Sequence, residues 1–406
     1  MGGLEPGNMW VKVDHKFAVK IHDDVIRDVL DIYPEEELEK RRFFTDAFDN
    51  GYLSYVELLK ECESIQIPWQ MFFLTPGNLK KQLDHISKER KFKFTAKFFS
   101  KRKGVGDITS KRIIDRLIRL QNYVLQNFTL TPNNFCGALK GKSYSECVNV
   151  FLNYFEIDVF EFRSKKTDKA FDYLIGKIET KSVNISRGVL KGGVLPEVKN
   201  VNDVYKNTSG FVVRNECLPF IFLPDDLNPD EAMGRRIYTL IYLLTCVGLD
   251  DYDFYLENSF KASALKKKGG EAIKHGITTA ILFPEEETDL LREAVVGAED
   301  VAKLSAKFKI TPTAVVVTLK RRGVITQEEY EELLPPPFKP QKKTGEQHGQ
   351  RPLITTAVKK FCGSSAFSYV NAGIRSGSLK SIQAQYLIFG HVHKNQYKKY
   401  CFQIGL

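Results

Sequence analysis

No stretch of this 406-residue chain holds the ~20 consecutive apolar residues that a membrane helix needs. The longest apolar run, Tyr238 to Leu249, spans about twelve and includes Thr239 and Thr245. A CxxC pair is also missing. The seven cysteines (Cys62, Cys136, Cys147, Cys217, Cys246, Cys362, Cys401) are scattered and odd in number, which argues against a disulfide framework or a zinc knuckle and fits free thiols in a reducing compartment. The opening residues MGGLEPGNMW have neither the basic start nor the apolar segment of a secretory leader. The expectation is a cytoplasmic protein with no membrane partner, and no internal repeat is visible along it.

What the chain does have is enough apolar sequence for a sizeable core. With 43% hydrophobic and 27% charged residues, a chain of this length is expected to form two or three domains. Its net charge is +10, and the excess is concentrated. Between Lys80 and Arg119 there are fourteen Lys and Arg against four acids, Asp84, Glu89, Asp107 and Asp115. Such a tract suits a polyanion-binding face, since neutralising phosphates releases counterions; a solvated helix face has the same composition. Within it, Lys101, Arg102, Lys103, Gly104, Gly106, Lys111 and Arg112 are the candidate phosphate-binding residues. A G-x-G turn before a helix exposes backbone N–H groups to a phosphate, and the flanking cations add charge. Asp107 opposes this reading by placing a carboxylate at the turn. The preceding FKFTAKFFSKRK interleaves phenylalanines with lysines, as a stacking surface for single strands does and as a buried core with snorkelling lysines also does.

Periodicity predicts helices over 23–64, 109–126 and 143–155, a strand-like FEIDVFEF after the last of these, strands within 209–223, and a wholly helical stretch to Leu334. Pro68 and Pro76 bracket an apolar plug. Residues 335–350 (PPPFKPQKKTGEQHGQ) have no apolar periodicity and read as a linker. The predicted organisation is a helical, basic N-terminal domain (1–130), a central domain (131–334), the linker, and a helical C-terminal module (351–406). The fold class is α+β, predominantly helical.

The central domain holds the most informative pattern. Gly210-Phe211 and Pro219-Phe220-Ile221 precede Tyr238-Thr239-Leu240, Ile281-Leu282-Phe283-Pro284 follows, and the unit from Val301-Ala302-Lys303-Leu304 to Leu319-Arg322-Gly323-Val324-Ile325 closes the series. In this order the residues resemble the ImmA/IrrE family of zinc metallopeptidases, most firmly over 209–325. Taken alone, the run YTLIYLLTCVGL also suits a buried helix in an unrelated fold. The resemblance implies a zincin-like core with a small sheet, in which two histidines and a glutamate of an HExxH helix hold zinc and activate its water. Those three positions are Tyr242, Leu243 and Cys246 here, and the family's third, acidic ligand falls on Ile273. Pro224 stands where the family has an asparagine. None of these residues can perform the family's chemistry unchanged, so the resemblance implies a degenerate peptidase in which no zinc and no cofactor is expected. A protein partner of repressor or antitoxin type, from a transcriptional or mobile-element regulatory system, follows from it. Two rivals stand beside this reading. One is an active endopeptidase with an unconventional site built from Cys246, Glu271 or His275. The other is a nucleic-acid-binding regulator that uses the 80–119 tract.

Residues 299–322 have a helix-turn-helix layout, with Thr311-Pro312 opening the second helix, but Val315, Val316 and Val317 read as packing. His391 and His393 lack a nearby third ligand and read as surface histidines.

Overall fold

The computed structural model describes residues 8–14, 16–22, 25–26, 43, 46–47, 50–65, 69–82, 108–188, 210–223, 233–251, 268–292, 295–337, 353–390 and 394–406. The chain divides into two compact units, Met1–Phe94 and Thr95–Leu406. Both are built on a small three-stranded sheet and the chain is predominantly helical, so the class is α+β. No helix among the described residues is long and apolar enough to cross a membrane.

In the first unit, strands β1 (Asn8–Val13), β2 (Lys16–His22) and β3 (Tyr52–Ser54) lie in the order β2-β1-β3. The β1–β2 pair is antiparallel and the β1–β3 pair parallel. Helix α1 (Tyr55–Ile65) and a 3-10 turn at Trp69–Phe73 follow. Met9, Val11, Ile21 and Leu53 from the sheet meet Leu58, Met71 and Phe72 in one core. The apolar plug after position 68 therefore does what its composition predicts. The hairpin 8–22 lies where the sequence offered no helix signal and no strand was read, so a sheet stands in the region expected to be helical. Helix α2 (Ile108–Asn127), within the 1–130 region read from the sequence, belongs to the second unit.

The second unit opens with α2, followed by α3 (Tyr144–Phe155), α4 (Val159–Ser164) and α5 (Thr167–Glu179). Helix α4 replaces the strand expected around FEIDVFEF. Asp158 accepts hydrogen bonds from Phe160 N and Glu161 N as an N-cap, and Glu156 closes α3 in the left-handed region at φ 52°. These local signals override the apolar alternation, and Phe160 ends 86% exposed. Strands β4 (Asn184–Arg187), β5 (Phe211–Val213) and β6 (Phe220–Leu223) form the second sheet, in the order β4-β6-β5. Strand β6 runs parallel to β4 and antiparallel to β5.

Helices α6 (Met233–Leu249), α7 (Lys268–Leu282), α8 (Glu285–Asp289), α9 (Ala298–Phe308), α10 (Pro312–Arg321) and α11 (Gln327–Leu333) come next. Helix α6 is buried on nearly every side, as its composition demands. Gly234 lets its first turn touch the α9–α10 turn, since a Cβ there would lie 2.7 Å from the Ile310 carbonyl carbon. Val315, Val316 and Leu319 of α10 are buried in the core. Beyond the linker, most of which lies outside the described residues, α12 (Ile354–Cys362), α13 (Ser364–Arg375), α14 (Ser381–Phe389) and α15 (Lys394–Gln403) form the helical C-terminal module.

Candidate functional site

The resemblance points to the α6–α7 pair, and its geometry follows from how α6 ends. The last carbonyls of a helix lack partners within it. Here Val247 O accepts from Asp250 N (3.0 Å) and Gly137 N (3.1 Å), Gly248 O from Leu139 N (2.8 Å), and Cys246 O from Asp251 N (3.2 Å). Asp250 adopts φ 47° to make this turn, and its carboxylate pairs with Arg214 and Lys140, each at 2.7 Å. Asp251 is thereby held against the end of α6, with its carboxylate 2.7 Å from Lys274 Nζ.

Lys274 is the least expected residue of the site, because its side chain is fully buried. Helix α7 turns Lys274, Ile277, Thr278 and Ile281 inward, a spacing of three and four that defines one face. Ile273, the position assigned to the family's third metal ligand, lies off that face and is 47% exposed. The inward residue is the neighbouring Lys274.

From α6, Tyr242, Leu243 and Cys246 are all fully buried. The Tyr242 ring lies 4.8 Å from the His275 ring, and Tyr238 Oη is 2.8 Å from His275 Nδ1, in a hydrogen bond whose direction depends on the imidazole tautomer. Burial pushes the Tyr238 phenol above its ordinary pKa, against the lowering effects of Thr279 and Arg321. Thr245 Oγ1 donates to Ile241 O at 2.9 Å and Thr278 Oγ1 to Lys274 O at 2.8 Å. The threonine hydroxyls are thus satisfied within their own helices, and the seam needs no water to solvate them. Leu243 packs beneath Gly210, where a Cβ would meet Leu243 Cδ1 at 2.9 Å and Phe222 O at 2.7 Å. Gly210, at φ 153°, is the residue that permits this approach.

Of the fallback set, the structure brings His275 against Tyr242. The Glu271 side chain lies outside the described residues, and Cys246 is enclosed. The seven cysteines are all free thiols. Burial pushes Cys362 up to about 12 and Cys136 up to about 11, which keeps both protonated and poorly nucleophilic at neutral pH. Among the described residues, no group of three His, Cys, Asp or Glu stands close enough to hold a metal.

The basic tract fares differently. Lys101, Arg102, Lys103, Gly104 and Gly106 lie outside the described residues. Lys111 and Arg112 are on α2, and their side chains are likewise not described. Arg116 is structural: it is buried, donates to Ile388 O at 2.6 Å and stacks 4.2 Å from the Phe361 ring. The tract is also divided between the two units, with Lys80 in one and Arg119 in the other. His391 and His393 lie outside the described residues.

An open cleft of about 470 Å³ lies elsewhere in the second unit. Asp172, Glu179, Arg187, Lys359, Lys360 and Ser364 line it, so both signs of charge face it. Sequence reading missed this cleft, because its walls come from two stretches far apart in the chain, 172–187 and 356–364. Lys274 was within reach of sequence, since the 274-277-278-281 spacing places it inward, but its polarity masked the phase.

No family model, no curated protein and no solved structure matches this chain.

Proposed function

We propose that this chain is a non-catalytic regulator that binds a protein partner on a pseudo-metallopeptidase scaffold of the ImmA/IrrE type. The observation that carries the reading is the filling of the α6–α7 seam. Tyr242, Leu243 and Cys246, onto which the resemblance puts the family's ligands and base, are enclosed side chains. Lys274 adds a buried ammonium on the face of α7 that would have to supply the third ligand. Lys274 already holds the Asp251 carboxylate at 2.7 Å, so a divalent cation placed there would have to compete with that ammonium for it. Leu243 carries no group that can take a proton from water. The enclosed Cys246 thiol cannot meet a substrate carbonyl unless the helix pair opens, which weighs against the unconventional peptidase. Binding then falls to exposed surfaces, and the mixed-charge cleft beside Arg187 and Lys359 suits a polar segment of a repressor- or antitoxin-like protein.

The test is incubation of the purified chain with a helix-turn-helix repressor and with casein, with and without added zinc. Both substrates are expected to stay intact. Site-specific cleavage that stops on chelation would overturn the reading.

A further inference from the structure

The outer face of the N-terminal sheet carries an inference independent of the α6–α7 seam. Because Met9 and Val11 face the core with Ile21 and Leu53, the alternate positions of β1, Trp10 and Lys12, face outward. The register sets Lys20 and Tyr52 beside Trp10, and Phe17 and Ser54 beside Lys12. A bulge between Val11 and Lys12 makes this arrangement, for unbroken pairing would set Ala18 there instead of Phe17. Three rings and two ammonium groups result in one cluster. The Trp10 and Phe17 centroids are 5.7 Å apart, and those of Phe17 and Tyr52 are 6.1 Å apart. Lys12 Nζ lies 5.0 Å from the Phe17 ring and 4.2 Å from the Tyr52 ring, while Lys20 Nζ lies 5.1 Å from the Trp10 ring. Phe17 is 56% exposed, Lys16 and Lys20 are exposed, and the three strands contain no Asp or Glu.

The bulge brings the half-exposed Phe17 ring beside Trp10 and Tyr52, so that three aromatic rings and two lysines share one acid-free strand face. We propose that this face binds single-stranded nucleic acid, with bases stacked on Phe17, Tyr52 and Trp10 and phosphates paired with Lys12 and Lys16. A lysine over an exposed ring is held only weakly. A nucleobase stacks on such a ring more strongly, and a lysine displaced from it remains beside the phosphate that the base brings with it. Duplexes keep their base faces covered and gain only the charge contacts. An acidic polypeptide likewise meets the lysines and gains nothing from the rings.

The test measures binding of the full chain to labelled oligo(dT) and oligo(U) by fluorescence anisotropy, with Phe17→Ala and Lys12→Gln as variants. Neither side chain is part of the buried core. Phe17→Ala is expected to weaken binding about tenfold. Lys12→Gln is expected to weaken it too and to lower the salt dependence by about 0.7 in log–log slope. The chain has two tryptophans, Trp10 and Trp69, so in a Trp69→Phe variant emission reports on Trp10 alone and is expected to be quenched by oligo(dT). Variants that bind like the parent chain with Trp10 unquenched would overturn the proposal and place any binding elsewhere. Competition by duplex DNA or polyglutamate as effective as that by oligo(dT) would overturn it as well, by showing a charge-only surface.

Discussion

Leu243→Glu is expected to cost at least about 4 kcal/mol of stability. The substitution restores the glutamate of the resembled HExxH motif, yet the position is a sealed part of the core. Leu243 is fully buried, and Gly210 brings the backbone of the sheet against its methyl groups. A carboxylate placed there either ionises without solvent or takes up a proton at a cost, and it loses the burial of a leucine in both cases. For a unit of this size the melting temperature should fall by about 6 °C or more, which differential scanning fluorimetry would read. An unchanged melting temperature would mean that position 243 faces an open, polar cavity, as a catalytic base does, and the packed-seam account would fail.

The second large effect is expected at Gly363. This residue joins α12 to α13 at φ 73° and ψ 157°, a conformation open to glycine and strained for other residues. A Cβ added there would also lie 2.7 Å from Asn184 Cβ and 3.1 Å from Asn184 Cα. The contact cannot relax cheaply, because Asn184 is committed. Its Oδ1 accepts from Ala366 N at 3.1 Å, while Glu179 accepts from Ser364 N at 3.0 Å and Ser364 Oγ at 2.6 Å. Two side chains from α5 and β4 thus satisfy N–H groups of the first turn of α13, and the carboxylate also suits the positive end of that helix. Strain and overpacking together should make Gly363→Ala cost about 3 kcal/mol or more. Urea unfolding followed by circular dichroism would show it, and limited proteolysis should find the C-terminal module cut first. A variant as stable as the parent would show that β4 does not anchor the module.

These two sites illustrate what the sequence made legible. Helix α2, the strands within 211–223 and the helical run from 233 to 333 follow from apolar spacing, because there burial and periodicity agree. Strand β4 was invisible, since Asn184-Ile185-Ser186-Arg187 offers one apolar residue and its polar side chains are buried under the C-terminal helices. The FEIDVFEF segment misled in the opposite direction, where a single N-cap aspartate decided for helix. The N-terminal hairpin carries the period of two in Trp10-Val11-Lys12, but lysines and exposed rings on its outer face hid the pattern. In the α6–α7 seam the burial of Tyr242, Leu243 and Cys246 was legible from the apolar run that holds them. The inward lysine fits the 274-277-278-281 spacing, but its polarity masked that phase, because a buried cation contradicts the usual link between polarity and exposure.

The central claim is that α6 and α7 enclose a packed seam in place of a metal centre. Elemental analysis of the full-length chain, purified without chelators from zinc-supplemented cells, addresses it most directly. The account predicts zinc far below one atom per chain. One tightly held zinc per chain, lost when Cys246 or His275 is replaced by alanine, would contradict it.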